Sequence, residues 1–239
     1  MVADAYRRAR APAESKCRIG DYVSDVDRRS ESVIRDVLAE RVPGLAVLGE
    51  ESGGDRGETF WAVDPLDATT NFLIGFPVVS VSVALIRDGE PSIGVVEAPL
   101  LGRRFSGARR RGAWCGRERL SVSRRPPERA IVATAFPFRV RHRLSEYSPV
   151  FSAVFDRIED IRRAGSAALD LAWTASGVWD GFFELNLGVW DVAAGSLLVE
   201  EAGGVVSGWS GGRDFLSGDV LAGSPQTHAV LAEEAGRDR

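Results

Sequence analysis

Lysine, histidine and cysteine are nearly missing from this 239-residue chain, which contains one, two and two of them respectively. Cys17 and Cys115 stand far apart and in no paired motif, which argues against a disulfide scaffold or a thiolate zinc site and suits a reducing cytoplasm. His142 and His228 are the only imidazoles, so a histidine-rich metal centre has little to draw on. No stretch approaches the roughly 18 apolar residues of a membrane span. The opening MVADAYRRARAPAESK has no apolar core of the kind a secretory signal needs. The expectation is a cytoplasmic protein with no membrane segment. A net charge of −4 gives no reason to expect nucleic acid. The arginine-rich stretches RRFSGARRRGAWCGRER and FRVRHRL read as solvated basic surface, with a phosphate-binding patch as the alternative. Repeats and low-complexity tracts are also absent.

The composition that remains is that of a globular protein. At 44% apolar residues the chain is long enough to bury a substantial core as one large domain or two intimate halves. A short helix is expected near residues 3–10. SDVDRRSESVIRDVLAERVPG reads as a helix with Val33, Ile34, Val37 and Leu38 on one apolar face, stopping at Pro43-Gly44. LAVLGEE and TFWAVDP are short apolar runs that end in acids, as strands emerging at a site would. VVSVSVALI and SIGVVEAP flank Asp88-Gly89, a hairpin signal, and RRFSGA follows as a further strand. SRRPPER, residues 123–129, marks the best internal boundary, between subregions of about 1–128 and 129–239. Beyond it AIVATAF, VWDGFFEL and DVLAGS read as strands. SEYSPVFSAVFDRI, SAALDLAWTASG, WDVAAGSLLVEEAGG and PQTHAVLAEEAG read as helices. Strands and helices alternate without a regular βαβ rhythm, so the expected class is α+β or layered α/β.

The chemistry concentrates in FWAVDPLDATTNF. Asp64 and Asp67 flank Pro65, which breaks the strand and fixes the chain direction. Two carboxylates on a tight turn at a strand end repel each other unless a cation joins them. An oxygen-rich donor set suits Mg²⁺, with Mn²⁺ as an alternative. Thr69 and Thr70 follow where a helix would begin, a place that favours an anion, and an N-capping turn would use the same residues. Glu50 and Glu51 end the preceding strand, and Asp191 opens a later helix amid apolar residues.

Taken in order, GEES, WAVDPLDATTNF and WDVAAGSLLVEEAGG closely resemble the three signatures of the inositol monophosphatase family, Gly-Glu-Glu, Trp-x-x-Asp-Pro-x-Asp-Gly-Thr-x-Asn-Phe and Trp-Asp-x-Ala-Ala-Gly. KCRIGDYVSDVD resembles the family's Lys-x-x-x-x-Asp-x-Val-Thr-x-x-Asp segment and puts the lone lysine, Lys16, at its lysine position. ATAFPFR and RRAGSAALDLAWTASGVWDGFFEL are similar to the bacterial branch. The resemblance implies a layered αβαβα sandwich of the inositol monophosphatase and fructose-bisphosphatase type, usually dimeric. It also implies an Mg²⁺-dependent, lithium-sensitive phosphomonoesterase, with two or three metal ions per site. Carried over by position, Glu50, Asp64 and the carbonyl of Leu66 would hold one metal. Asp64, Asp67 and Asp191 would hold a second, with Glu50 helping a third. Thr69 and Asp27 would orient the attacking water, although Asp27 also fits a capping box with Ser24. The N–H groups of Ala68 and Thr69 would receive phosphate beside Asp67 and Asp191. Glu184 and Ala167, with Gly165 and Ser166 nearby, would meet a polyol.

Three departures stand out. Ala68 replaces a glycine, adding a Cβ where phosphate must approach or φ turn positive. The first helix starts later than the family's, which reads as a truncated edge. Gly188-Val189 replaces lysine-proline before the Trp-Asp signature. The expected substrate is inositol 1-phosphate. Histidinol phosphate, fructose 1,6-bisphosphate and phosphoadenosine phosphate are alternatives, and Ala68 opens a non-catalytic reading. GWSGG, followed by Asp219 and His228, mimics a serine-hydrolase elbow, but no helix signal follows the serine and a turn fits better.

Overall fold

The computed structural model describes residues 1–8, 13–15 and 22–236. The position of Lys16 lies outside them. The chain opens with helix α1 (Val2–Arg8) and the paired strands β1 (Ala13–Ser15) and β2 (Tyr22–Ser24). Helix α2 (Asp25–Arg41) begins in a capping box, the Ser24 hydroxyl accepting from the helix backbone while Asp27 accepts from Ser24 N–H. It ends just before Pro43. Its apolar face is narrower than the sequence suggests. Ile34 and Leu38 pack on Trp61, Val63 and Leu85, whereas Val33 and Val37 are half exposed, at 51% and 50%. The helix rests mainly on a single strand, so only one i, i+4 stripe is covered.

That strand is β4 (Thr59–Asp67). With β3 (Ala46–Gly49), β5 (Ser80–Arg87), β6 (Glu90–Ala98), β7 (Arg103–Ala108), β8 (Gly112–Cys115) and β9 (Glu118–Arg119) it forms a seven-stranded sheet in sequence order. Within this sheet, among the described residues, β3 and β4 run parallel and the other neighbours antiparallel. A short helix, α3 (Thr69–Ile74), leads from β4 to β5. Asp88 and Gly89 both take positive φ, 51° and 76°, the geometry that closes a two-residue hairpin. β8 and β9 arise from the arginine-rich stretch read as plain surface. β8 has four residues, GAWC, and the edge strand β9 only two, Glu118–Arg119, too few for alternation to give a signal.

Residues 123–129 run between the two sheets. The second sheet has five strands, β10 (Ile131–Thr134), β11 (Asp160–Arg162), β12 (Gly181–Glu184), β13 (Val205–Gly208) and β14 (Val220–Gly223), in the order β11-β10-β12-β14-β13. Its helices are α4 (Leu144–Phe155), α5 (Ala167–Ala175), α6 (Val189–Glu201) and α7 (Pro225–Gly236). α5 and α6 lie between the sheets, touching β5 and β6 on one side and β12, β13 or β14 on the other. α2 covers the far face of the larger sheet, and α4 and α7 cover that of the smaller. The layers are therefore α-β-α-β-α. Among the described residues no helix is long and apolar enough to cross a membrane.

The central helix layer explains the hydrophobicity of α6, which is buried on nearly every side, with Val192, Ala193, Leu197 and Leu198 fully enclosed. Small residues permit the close approach. A Cβ on Gly94 of β6 would fall 2.9 Å from the carbonyl oxygen of Ala194, and one on Gly195 would fall 2.4 Å from the Cβ of Leu171 in α5. Gly195→Val is thus expected to destabilise the fold by about 1–3 kcal/mol through overpacking. The urea midpoint reports it, and an unchanged midpoint would contradict this packing.

Candidate active site

Along β4 the apolar residues are buried because helices cover both faces of the sheet. The strand changes character at Asp64, which pairs with Ser82, while Asp67 pairs with Ser80. Three steps on β4 thus oppose two on β5, a bulge centred on the stretch that contains Pro65. In a regular strand, residues three apart point to opposite faces. The extra residue returns Asp67 to the face of Asp64, because Ser80 and Ser82 share one face. The bulge thereby brings two carboxylates together, and the Leu66 N–H secures Asp64 by donating to its Oδ1 at 2.9 Å.

Glu50 follows β3, which runs parallel to β4, and its N–H donates to the Val63 carbonyl at 3.0 Å. Its side chain therefore stands beside Asp64. Asp191 comes from the other half of the chain, in the first turn of α6, where its Oδ2 accepts from Gly188 N–H at 2.6 Å. It is both a helix cap and a member of the cluster. Carboxylate oxygens of Glu50, Asp64 and Asp191 all lie within 4.8 Å of one another. Asp67 stands alongside, its Oδ2 accepting from the Ser166 hydroxyl at 2.6 Å, Ala168 N–H at 3.0 Å and the Ser80 hydroxyl at 3.1 Å.

Burial, then the charges of Glu50, Asp67 and Asp191, push the Asp64 carboxyl well above the usual range. Burial, followed by Glu50 and Asp67, pushes Asp191 up to about 7. Asp67 is raised as well, chiefly by burial. Among the described residues the donor set is several acids with no imidazole or thiolate, which fits a hard divalent cation.

Thr69 and Asp27 meet across 42 positions of sequence. Thr69 Oγ1 lies 2.8 Å from Asp27 Oδ1 and 3.1 Å from the Leu66 carbonyl oxygen. Asp27 is buried and also accepts from Ser24 N–H at 2.9 Å and from the Ser24 hydroxyl. The capping box and the pairing with Thr69 coexist on one carboxylate, whose acidity burial weakens. Between the bulge and Thr69, Ala68 adopts φ 74° and ψ 48°. This is the left-handed region, and a residue with a Cβ pays about 1–2 kcal/mol to occupy it.

These groups open into a cavity of about 330 Å³. Gly165, Ala167 and Glu184 line it, together with Phe138, Arg139 and Arg163. Glu184 is held well above the usual carboxylate range by burial and by Asp170, Asp191 and Asp67. Ser166 departs from expectation. It is fully buried, and its hydroxyl turns to Asp67 and Ser80 rather than into the cavity. It supports a carboxylate from behind. FRVRHRL, read as solvated surface, instead turns Phe138 and Arg139 into the cavity, Arg139 lying 3.9 Å from Glu50. Arg163, carried by the family-like segment RRAGSAALD, had no role assigned to it. Asn71 was also missed. Its amide donates to the carbonyls of Val78 and Ala164, at 2.8 and 2.9 Å, tying the turn after β4 to the second half. Gly188 caps α6 where a Cβ would strike the Trp190 ring. The elbow-like GWSGG is a turn. His228 pairs with Ser207 at 2.9 Å, and Asp219 binds Arg143, so no triad forms with Ser210.

Comparison with known proteins gives a consistent outcome. A model described as the inositol monophosphatase family matches residues 1–238. Nus factor SuhB of Escherichia coli (strain K12) is 40% identical over 238 residues, 97% of this chain and 89% of that protein. The crystal structure of extragenic suppressor protein suhB from Bartonella henselae superposes with a TM-score of 0.94 at 36% identity, covering 100% of this chain and 93% of the other. Inositol monophosphatase from Anabaena (Nostoc) gives 0.81 at 34% identity, with 87% and 84% covered.

Two outcomes follow from this geometry. Ala68→Gly removes the left-handed strain and adds some unfolded-chain entropy, a net gain of about 1 kcal/mol, read as a Tm rise of about 2–4 °C. A lower Tm would contradict the positive φ. The raised acids set a pH dependence. A carboxyl whose folded pKa lies above its unfolded value contributes stability below the unfolded pKa and loses it as pH rises through the folded one. Between about 4 and about 7, the window bounded by an ordinary Asp at 3.8 and Asp191 at about 7, this cluster grows steadily less favourable without a cation. The Tm increase on adding divalent cation is therefore expected to be larger at pH 7.5 than at pH 5. Scanning fluorimetry measures both, and equal increases would count against a carboxylate cation site.

Proposed function

The chain belongs to the inositol monophosphatase family, and from that premise we propose that it hydrolyses a small polyol phosphate, with inositol 1-phosphate as the best-supported substrate. The observation that carries this reading is the convergence of Glu50, Asp64 and Asp191 within 4.8 Å, beside the hydrogen-bonded Thr69–Asp27 pair. Glu50, Asp64, Asp67, Asp191 and the Leu66 carbonyl would hold Mg²⁺, two or three ions in all, with Mn²⁺ as a substitute. Such a cation, when bound, lowers the pKa of coordinated water and neutralises charge on the phosphate. The chain supplies the rest. Thr69 Oγ1 lies 2.8 Å from the Asp27 carboxylate and 3.1 Å from the Leu66 carbonyl, so its proton goes to the closer and more basic acceptor, Asp27. A lone pair on Thr69 Oγ1, which lines the cavity, is then left to accept from an attacking water and fix its direction. Proton movement runs from the water through Thr69 toward Asp27. The N–H groups of Ala68 and Thr69 receive the phosphate, and Gly165, Ala167 and Glu184 meet the polyol, Glu184 as a hydrogen-bond partner for its hydroxyls. A homodimer in the cytoplasm, with no nucleic acid or membrane partner, completes the reading.

A second reading rests on Ala68 and on relatives named Nus factor SuhB rather than phosphatase. In it the folded chain binds a partner without turnover. Phosphate release from inositol 1-phosphate, with and without Mg²⁺ and with Li⁺ added, separates the two. Mg²⁺-dependent, Li⁺-suppressed release is expected. Asp27→Asn should lower kcat by about 10²–10⁴. Cation binding by folded protein, with no release from this substrate, histidinol phosphate, fructose 1,6-bisphosphate or phosphoadenosine phosphate, would replace hydrolysis with the binding role.

A further inference from the structure

We infer that Glu31, on α2, is a positioning residue that holds Glu50 against the repulsion of the other site carboxylates. The inference rests on the cation-site reading above. Of the three acids within 4.8 Å, Asp64 is fixed in a strand and Asp191 in a helix, while Glu50 sits on a turn. It alone of the three sits outside a regular element, and its side chain also meets Arg139, at 3.9 Å. Its own N–H is tied to β4 through the Val63 carbonyl. The two residues after it are tied to Glu31. Glu31 Oε2 accepts from Glu51 N–H at 2.8 Å, and Oε1 accepts from Ser52 N–H at 3.1 Å and from the Ser52 hydroxyl. The Glu31 side chain is 3% exposed, and Arg35, one helical turn on, donates to it at 3.1 Å. Arg35 also donates to the Gly53 carbonyl at 2.6 Å, so one ion pair closes the whole turn.

Gly49 belongs to the same device. A Cβ there would lie 2.4 Å from the Glu31 carboxyl carbon and 2.5 Å from both its oxygens. A free glutamate would yield, but this one is held by four donors and could move only by releasing the turn. The glycine of GEES therefore serves space rather than backbone freedom. On the same side of α2, Ser30 donates to the Pro65 carbonyl at 3.0 Å and Asp27 accepts from Thr69. Positions 27, 30 and 31, spaced i, i+3 and i+4, thus reach the turn after β4, its bulge and the turn after β3.

The test is calorimetric titration of the full chain with Mn²⁺ alone. Failure of the unmodified protein to bind would remove the cation reading itself. Given binding, Glu31→Gln, which puts an amide donor among donors, should weaken Mn²⁺ about 10–100-fold. In turnover the loss should fall on metal half-saturation rather than on kcat. Gly49→Ala should reproduce it, and Ser52→Ala, which keeps both backbone bonds, should change little. Folded Glu31→Gln with unaltered Mn²⁺ affinity overturns the inference. Should that variant not fold, Arg35→Met at the outer end of the latch is read instead, where weaker binding supports the inference and unchanged binding overturns it.

Discussion

Glu50, Asp64 and Asp191 share a space in which their oxygens come within 4.8 Å of one another, and burial deprives Asp64 and Asp191 of the water that would screen their repulsion. The surrounding structure answers that repulsion locally. The bulge in β4 sets the direction of Asp64 and Asp67. The cap of α6 holds Asp191, and serine hydroxyls and a helix N–H hold Asp67. Each anchor is a hydrogen bond from a neutral donor, which steadies a carboxylate without cancelling its charge. Arg139, whose Nη2 lies 3.9 Å from Glu50 Oε1, offsets only part of that charge, and the negative charge left over among the four acids is what a divalent cation fits.

Much of this was legible in the sequence because the acids sit at element ends. A strand that stops at an acid, or a helix that starts on one, keeps its position when the elements pack, so FWAVDPLDATTNF and the Trp-Asp signature gave the location of the acidic cluster. The hairpin at Asp88-Gly89 was equally plain, since both turn residues tolerate positive φ. The irregular alternation of strands and helices pointed only to α+β or layered α/β, and the resemblance to the family supplied the αβαβα order of layers.

What stayed hidden depends on contacts between distant segments. Ser166 could be placed near the site, but only packing shows its hydroxyl turning to Asp67. Val33 and Val37 look like core in a helical pattern, and the narrowness of a helix-on-strand contact leaves them in water. Glu31 is one acid among 34 acidic residues, and nothing about its neighbours in sequence distinguishes it. Strands β8 and β9 lack the apolar alternation that would reveal them.

α6 carries Asp191 to the cluster from the layer that both sheets share, whereas Glu50, Asp64 and Asp67 ride on the larger sheet. The donor set is therefore incomplete in any form of the chain where that helix has not seated on β5 and β6. A cation that needs all of them binds only the assembled protein, and stabilises it by RT ln(1 + [L]/Kd). Its affinity then becomes a gauge of how tightly the central layer is docked. Looseness in the hydrophobic interior far from the cavity would register first as weak ion binding rather than as unfolding.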